Sequence, residues 1–367
     1  MTRLSLVHDY LYVYGGAERL LEHVHTVWPD APLHTLLYVK DRLPETFRRM
    51  DVRTTWVDQL PARLRLQRVY AMLQPLAFAG VRPVGDVLSF ASFGAKAVRP
   101  AAGHQHLCYC FTPPRFLWGP YPGIVREELP SGARLVASVL ERALRRWDLA
   151  AARRVDRFIT MSHYVADRIR RVYGRESEIV APPVDVERFR HLEPHDGGYF
   201  LAIGRFEAYK RFDLAIEACT QRRVPLKIIG GGVDDRRLRR LAGDSPYVEF
   251  LGSVPDQAVE TYLAGCRALL FPGEEDFGLT AVEAQAAGKP VIAYAEGGAQ
   301  ETVIRNETGV FFDQLRAGSL AESLHAFNSR AFDPARCRAS ASRFRPERFR
   351  ARLSETVGRL LGEGRAA

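Results

Sequence analysis

A chain of 367 residues exceeds what one ordinary hydrophobic core supports, so two domains are expected. Its five cysteines are odd in number and form no C-x-x-C pair, so neither a disulfide framework nor a zinc site is suggested and a reduced cytoplasmic setting fits best. Of the net charge of +9, residues 1–185 carry +8 (26 Lys and Arg against 18 Asp and Glu), a field suited to anionic lipid, an anionic substrate or nucleic acid.

In chain order, a first strand is predicted at 4–7. His8 and Asp9 then interrupt the apolar start, so no N-terminal signal is expected, and no apolar run approaches the roughly 20 residues of a membrane span. Gly15 and Gly16 precede a helical segment, and further strands are predicted at 33–38, 52–57, 87–90, 106–110, 158–161 and 178–180. Between them, residues 60–80 interleave Arg63, Arg65 and Arg68 with Leu60, Leu64, Tyr70, Met72, Leu73 and Phe78 just after Trp56. That segment is too short to span a bilayer but is patterned to lie in its interface. A Pro-punctuated stretch, APPVDVERFRHLEP, marks a linker near 182–197. A second strand series follows at 199–203, 226–229, 248–251, 268–271, 291–294 and 310–312. The βα alternation predicts two doubly wound parallel-sheet domains, 1–185 and 186–345, with a last segment at 346–367. Each sheet should carry its functional crevice at the carboxyl ends of its strands.

The stretch EEDFGLTAVE follows the strand at 268–271 and enters a helix predicted over 279–287, with Gly288 as its left-handed terminator. The amides of residues 278–281 then lack intrahelical partners at the positive end of the helix dipole, a setting that suits phosphate. Glu275, Asp276 and Glu283 either complement that dipole or hold hydroxyls of a ligand. Arg205 and Lys210, in GRFEAYK after the strand at 199–203, fall at another carboxyl end. Two cations and a helix N-terminus converging on one crevice describe a pyrophosphate site. The pair Asp234-Asp235 is not a D-x-D carboxylate pair and reads as a solvated turn beside Arg236 and Arg237, so no metal site is expected. No G-x-G-x-x-G follows the first strand, and the Gly288-Lys289-Pro290 run is not a Walker loop.

Glu275 and Glu283 spaced as E-x7-E around Phe277-Gly278-Leu279, the G-R-F-x-x-x-K run at Gly204 to Lys210, and GGAER at Gly15 to Arg19 resemble the retaining family-4 glycosyltransferases of GT-B fold. The stretches HDYLYVYGGAERLLE, TPPRFLW and APPVDVERF are most similar to the bacterial mannosyltransferases of surface-polysaccharide (lipopolysaccharide) assembly. The resemblance implies two Rossmann-like domains facing a central cleft, with an N-terminal acceptor domain, a C-terminal nucleotide-sugar domain and a final helix crossing back to the first.

By the same resemblance, Glu283 holds the donor ribose, Glu275 the sugar hydroxyls, and Arg205 and Lys210 the leaving diphosphate. Gly15, Gly16, Phe277, Gly278, Leu279 and Thr280 help hold the donor, and Gly252, Ser253 and Val254 read the base; Gly230 to Gly232 are either a family loop or a plain turn. Implied further are GDP-mannose as donor substrate, no cofactor, no metal, a glycan or lipid-linked acceptor, a peripheral place on the inner membrane surface, and no nucleic-acid partner. A UDP-hexose donor, a GT-B-type sugar-nucleotide epimerase and a non-catalytic nucleotide-binding protein stay open. One departure is Phe111, where relatives commonly have His; His104 or His106 is the candidate substitute.

Overall fold

The computed structural model describes residues 4–61, 70, 72–119 and 131–366. The chain divides into two compact units, residues 1–182 with 349–367, and residues 183–348. The first break falls three residues before the position predicted from the linker, because the Val184 amide donates to the Phe344 carbonyl (2.8 Å) and so ties this stretch into unit 2. The return to unit 1 begins at Phe349, not at 346.

Unit 1 is built on a seven-stranded sheet in the order β3-β2-β1-β4-β5-β6-β7, every pair parallel. Its strands are β1 (Leu4–His8), β2 (Leu33–Thr35), β3 (Val52–Thr54), β4 (Asp86–Ala91), β5 (His106–Cys110), β6 (Arg157–Thr160) and β7 (Ser177–Ile179). Strands β1, β4 and β5 are buried along their whole length, which is why they are largely apolar and do not alternate with exposed polar residues; the polar side chains within them, such as Ser5 and Ser89, are buried too. One face of the sheet packs Leu6, Leu88 and Leu107 under Leu20, Leu21 and Val24 of the helix Gly16–Val27. The same cluster takes in Phe349, Leu353, Val357, Leu360 and Leu361, the apolar stripe of the last helix, Pro346–Ala366. The opposite face packs Val7, Val87 and Cys108 against Phe78, Val165 and Ile169.

Unit 2 carries a six-stranded parallel sheet in the order β10-β9-β8-β11-β12-β13. Its strands are β8 (Phe200–Ile203), β9 (Leu226–Ile229), β10 (Val248–Gly252), β11 (Leu269–Phe271), β12 (Val291–Tyr294) and β13 (Gly309–Phe312). In both sheets the order reverses beside the first strand, between β1 and β4 and between β8 and β11. Connections leave such a reversal to opposite faces, and the gap between them is where α/β sheets hold ligands.

The interfacial segment predicted over 60–80 is corrected in part. Tyr70 and Phe78 are core residues, and Leu60, Leu73 and Met72 pack against buried clusters of unit 1, so these side chains serve the fold. Trp56 and Leu76 are exposed. Arg63, Leu64, Arg65 and Arg68 lie outside the described residues. No helix among the described residues is long and apolar enough to cross a membrane.

Candidate active site

At the reversal in unit 2, β8 is followed by Gly204 and Arg205, and the chain turns through the short 3-10 segment Ala208–Lys210. Lys210 is thereby presented toward the loop that leaves β11. Its Nζ lies 2.6 Å from Glu275 Oε2, with the two side chains 10% and 18% exposed. Two residues expected to serve different parts of a ligand are thus in direct contact. Arg205 is exposed, and Glu283 is partly exposed on the helix Leu279–Ala286; each has its own interactions.

That helix starts where predicted and stops at Ala286, with Gly288 left-handed at φ +78°. Gly278 caps its start at φ +98°, a conformation in which a side chain would be strained. The Gly278 carbonyl takes the Ala281 and Val282 amides, so the amides of Leu279 and Thr280 stand in the unpartnered first turn. The Thr280 hydroxyl is buried there with no hydrogen-bond partner. Phe277 is buried, its ring edge-on to Phe344 at 5.2 Å.

Two glycines that the sequence analysis passed over, Gly297 and Gly298, hold this loop in place; a Cβ on Gly297 would stand 2.6 Å from the Glu275 carbonyl oxygen. The Gly298 amide donates to the Glu275 carbonyl (2.8 Å), and a Cβ on Gly298 would stand 2.3 Å from Phe277 Cα. Thr302 then donates its hydroxyl to the Gly298 carbonyl (3.2 Å). The available signal was the Gly-Gly pair just beyond β12, placed as Gly15-Gly16 is beyond β1. Gly230 follows β9 and is more than a plain turn, since a Cβ there would fall 1.9 Å from the Gly204 carbonyl oxygen. Gly252, Ser253 and Val254 follow β10, with Gly252 at φ +69°. All these residues sit past the carboxyl ends of β10, β9, β8, β11 and β12, successive neighbours in the sheet.

The Asp234-Asp235 expectation is corrected: Asp234 occupies the N-cap position of the helix Asp235–Ala242 and pairs with Arg237 (2.6 Å), while Asp235 pairs with Arg239 (3.0 Å). These carboxylates are committed to arginines. Among the described residues no group of three or more His, Cys, Asp or Glu is placed to hold a metal ion.

In unit 1, Gly15 is the N-cap of the helix Gly16–Val27, and its amide donates to Glu18 Oε2 (2.9 Å). The other oxygen, Glu18 Oε1, lies 3.4 Å from His8 Nε2, while His8 Nδ1 lies 3.1 Å from the Phe90 carbonyl oxygen. Both side chains are buried. Burial by itself lowers an imidazole pKa, yet the hydrogen bond and charge of Glu18, with the charge of Asp9 beside it, leave His8 raised above the ordinary value. Asp9 in turn accepts the amides of Ser92, Phe93 and Ala95 and so fixes the loop after β4.

Phe111, just past β5, stands edge-on to His8 at 6.1 Å between ring centroids. His104 and His106 do not substitute for an imidazole there, because both lie at the opposite end of β5. His104 is 3.3 Å from Asp86, and His106 is buried against Ser89 Oγ (2.8 Å) with its pKa pushed down to about 3 by desolvation. The histidine beside Phe111 is His8.

Residues 184–343 match the family model described as glycosyl transferases group 1, a span that falls within unit 2. The D-inositol 3-phosphate glycosyltransferase 1 of Catenulispora acidiphila is 30% identical over 243 residues, 58% of this chain and 57% of that protein. The alpha-1,3/1,6-mannosyltransferase alg-2 of Neurospora crassa is 32% identical over 196 residues, 40% of this chain and 42% of that protein. The chain spans about half the length of the curated relatives it matches. Among solved structures, Anabaena Alr3699/HepE in complex with UDP aligns with a TM-score of 0.70 at 18% identity, covering 97% of this chain and 99% of that one. Two Rossmann-like parallel-sheet domains with such neighbours are the GT-B fold. Within it, unit 2 is similar to the group 1 glycosyl transferases across the matched span.

Proposed function

We propose that the chain is a retaining glycosyltransferase that moves a hexose, mannose from GDP-mannose, onto a lipid-linked acceptor in surface-glycan assembly. The observation that carries this reading is the Lys210–Glu275 contact at the reversal of the second sheet, next to the open first turn at Gly278. Lys210 is a compact cation with three N–H groups, and Glu275 takes one of them. Seated on the leaving diphosphate, the ammonium would stabilise charge as it develops, and the amides of Leu279 and Thr280 would add to it without reorganisation. Glu275, steadied by Lys210 and by the Gly298 amide on its backbone, would hold donor-sugar hydroxyls. Glu283 would take the ribose, and Arg205 would share the diphosphate.

With cations and a helix terminus supplying the charge, transfer would proceed without a divalent metal, the leaving phosphate taking the acceptor proton on the same face of the sugar. The mannose assignment is supported by the mannosyltransferase name of the Neurospora relative and by the sequence resemblance. A second reading exchanges the donor for a UDP-hexose, UDP being the nucleotide held by the Anabaena protein. An acceptor carried on lipid is supported by the +8 charge of residues 1–185 and by the exposed Trp56, Leu76, Phe116, Val139 and Leu140 of unit 1. Turnover measured with GDP-mannose and with UDP-hexoses, each with and without chelator, tests the reading. Activity with GDP-mannose that survives chelation is expected, and strict divalent dependence or release of an epimerised sugar nucleotide would overturn it.

A further inference from the structure

Unit 2 carries a cleft of about 420 Å³ that the candidate active site does not use. Its lining residues all fall between 300 and 343, inside unit 2, and its size is that of pockets that hold small organic ligands. Two arginines reach it. Arg343, on the 3-10 turn Ser342–Phe344, donates Nε to the Ser340 carbonyl (3.0 Å) and Nη2 to Ser340 Oγ (3.1 Å), with its guanidinium 5.0 Å over the Phe344 ring. Among the described residues nothing takes its Nη1 N–H groups and no carboxylate pairs with it. Partial burial of that charge holds its pKa below the ordinary value. Arg305 lies 4.8 Å over the Phe311 ring, and its Nη2 is 3.9 Å from Asp313 Oδ1, too long for a charge-assisted hydrogen bond. A held guanidinium fork with free N–H groups suits a phosphate. The rest of the lining asks for more than a bare anion. Glu301 would repel one but accepts hydroxyl groups, Gln300 can donate or accept, and Ile304 and Phe311 offer an apolar surface to C–H groups.

The cleft shares parts with the candidate donor loop. Arg343 Nη2 lies 3.5 Å from the Thr302 carbonyl oxygen, which also accepts the side-chain amide of Gln285 (2.9 Å) from the helix Leu279–Ala286. Thr302 donates to the Gly298 carbonyl, Gly298 holds the Glu275 carbonyl, and Phe344 meets Phe277 edge-on. We propose that this cleft is an effector site for a small sugar phosphate, its phosphate on Arg343 and Arg305 and its hydroxyls on Gln300 and Glu301, coupled through Thr302 and Phe344 to the loop of Glu275 and Phe277. The coupling rests on the donor-site reading above; the binding does not. A phosphate on Nη1 fixes the turn Ser342–Phe344 and with it the ring against Phe277, so GDP binds more tightly to the occupied chain. By linkage GDP tightens the sugar phosphate by the same factor.

Calorimetric titration of the full chain with mannose 6-phosphate tests the site, with inorganic phosphate for comparison. The ester should bind more tightly than phosphate alone. Its Kd should rise at least about tenfold in Arg343→Gln and stay unchanged in Lys210→Ala, which alters the candidate donor site instead. Saturating ester should lower the GDP Kd about fivefold in the wild type and leave it unmoved in Arg343→Gln. No binding of the ester, equal binding in Arg343→Gln, or binding lost in Lys210→Ala overturns the site, the last by seating the probe on the donor loop. Equal affinity for inorganic phosphate overturns the sugar class, and an unmoved GDP Kd overturns the effector role. If Arg343→Gln does not fold, Arg305→Gln on the exposed rim decides, and an unchanged ester Kd there overturns the inference. A wild-type chain that binds the ester through Arg343 but binds neither GDP nor UDP refutes the donor-site reading instead.

Discussion

Replacing Lys210 with alanine removes the cation from a contact that is nearly out of water on both sides. Breaking a fully buried pair by deleting one partner costs about 3–5 kcal/mol; with the side chains 10% and 18% exposed, about 2–3 kcal/mol is the matching figure for Glu275 left behind. For a domain of this size that lowers the melting temperature by roughly 5–10 °C. Turnover should fall further than stability explains, by about 100- to 1000-fold, the order seen when one preorganised charge-stabilising donor is lost. The two effects separate in a second variant. Lys210→Ala combined with Glu275→Gln no longer buries an orphan charge, so most of the melting temperature should return while turnover stays low. Thermal unfolding and transfer assays on the wild type, the two single variants and the double variant are sufficient. Turnover near wild type in Lys210→Ala, or its recovery in the double variant, would refute the role given to Lys210.

Gly298→Ala sets a Cβ 2.3 Å from Phe277 Cα and should destabilise unit 2 by about 1–3 kcal/mol while weakening nucleotide binding; denaturant unfolding with and without GDP reads both. His106, neutral in the fold at a pKa of about 3, takes up a proton in the unfolded chain near pH 6.5. Its stabilising contribution is therefore full above pH 6.5 and declines as pH falls toward 3; melting curves of His106→Asn should show a shallower loss over that window, and an identical profile would be the contrary result. The variant Leu76→Ser/Phe116→Ser/Leu140→Ser should keep its fold and lose co-sedimentation with anionic vesicles; equal recovery of both proteins in the supernatant would point to a soluble acceptor.

The thirteen strands among the described residues were legible where apolar and β-branched residues alternate with longer charged segments between turn residues, even where, as in β3 and β7, the strand itself is short and partly exposed. Their ends were less so. The continuous ladder of the predicted strand 33–38 ends at Thr35; Leu36 and Leu37 are buried beyond it, and Tyr38 makes only an isolated parallel bridge with Leu11. The strand expected to reach 57 stops at Thr54 because the Thr55 side chain accepts the Val57 amide and starts the 3-10 turn Trp56–Gln59. At the site, residue types at strand ends were readable, but contacts were not. Lys210 meets Glu275 only because β8 and β11 are sheet neighbours, and no local pattern records that adjacency. The same holds for Gly298 against Phe277, and for His8 against Glu18, where a strand must turn into a helix before the two can meet.

The last helix has a consequence for how the molecule is made. Phe349, Leu353, Val357 and Leu360 fill the core of unit 1, so that core is discontinuous in the chain, whereas unit 2 is one uninterrupted span of 183–348. On a ribosome the ordinary order, first domain first, is therefore reversed at its final step. Unit 2 has its full sequence in hand while the core of unit 1 still lacks Phe349, Leu353, Val357, Leu360 and Leu361. A nascent chain stalled before Phe349 presents a greasy sheet face, an opening for chaperones or for aggregation. Cutting the chain before Phe349 would strip those side chains from the core of unit 1, whose strands lie farthest from the cut in sequence.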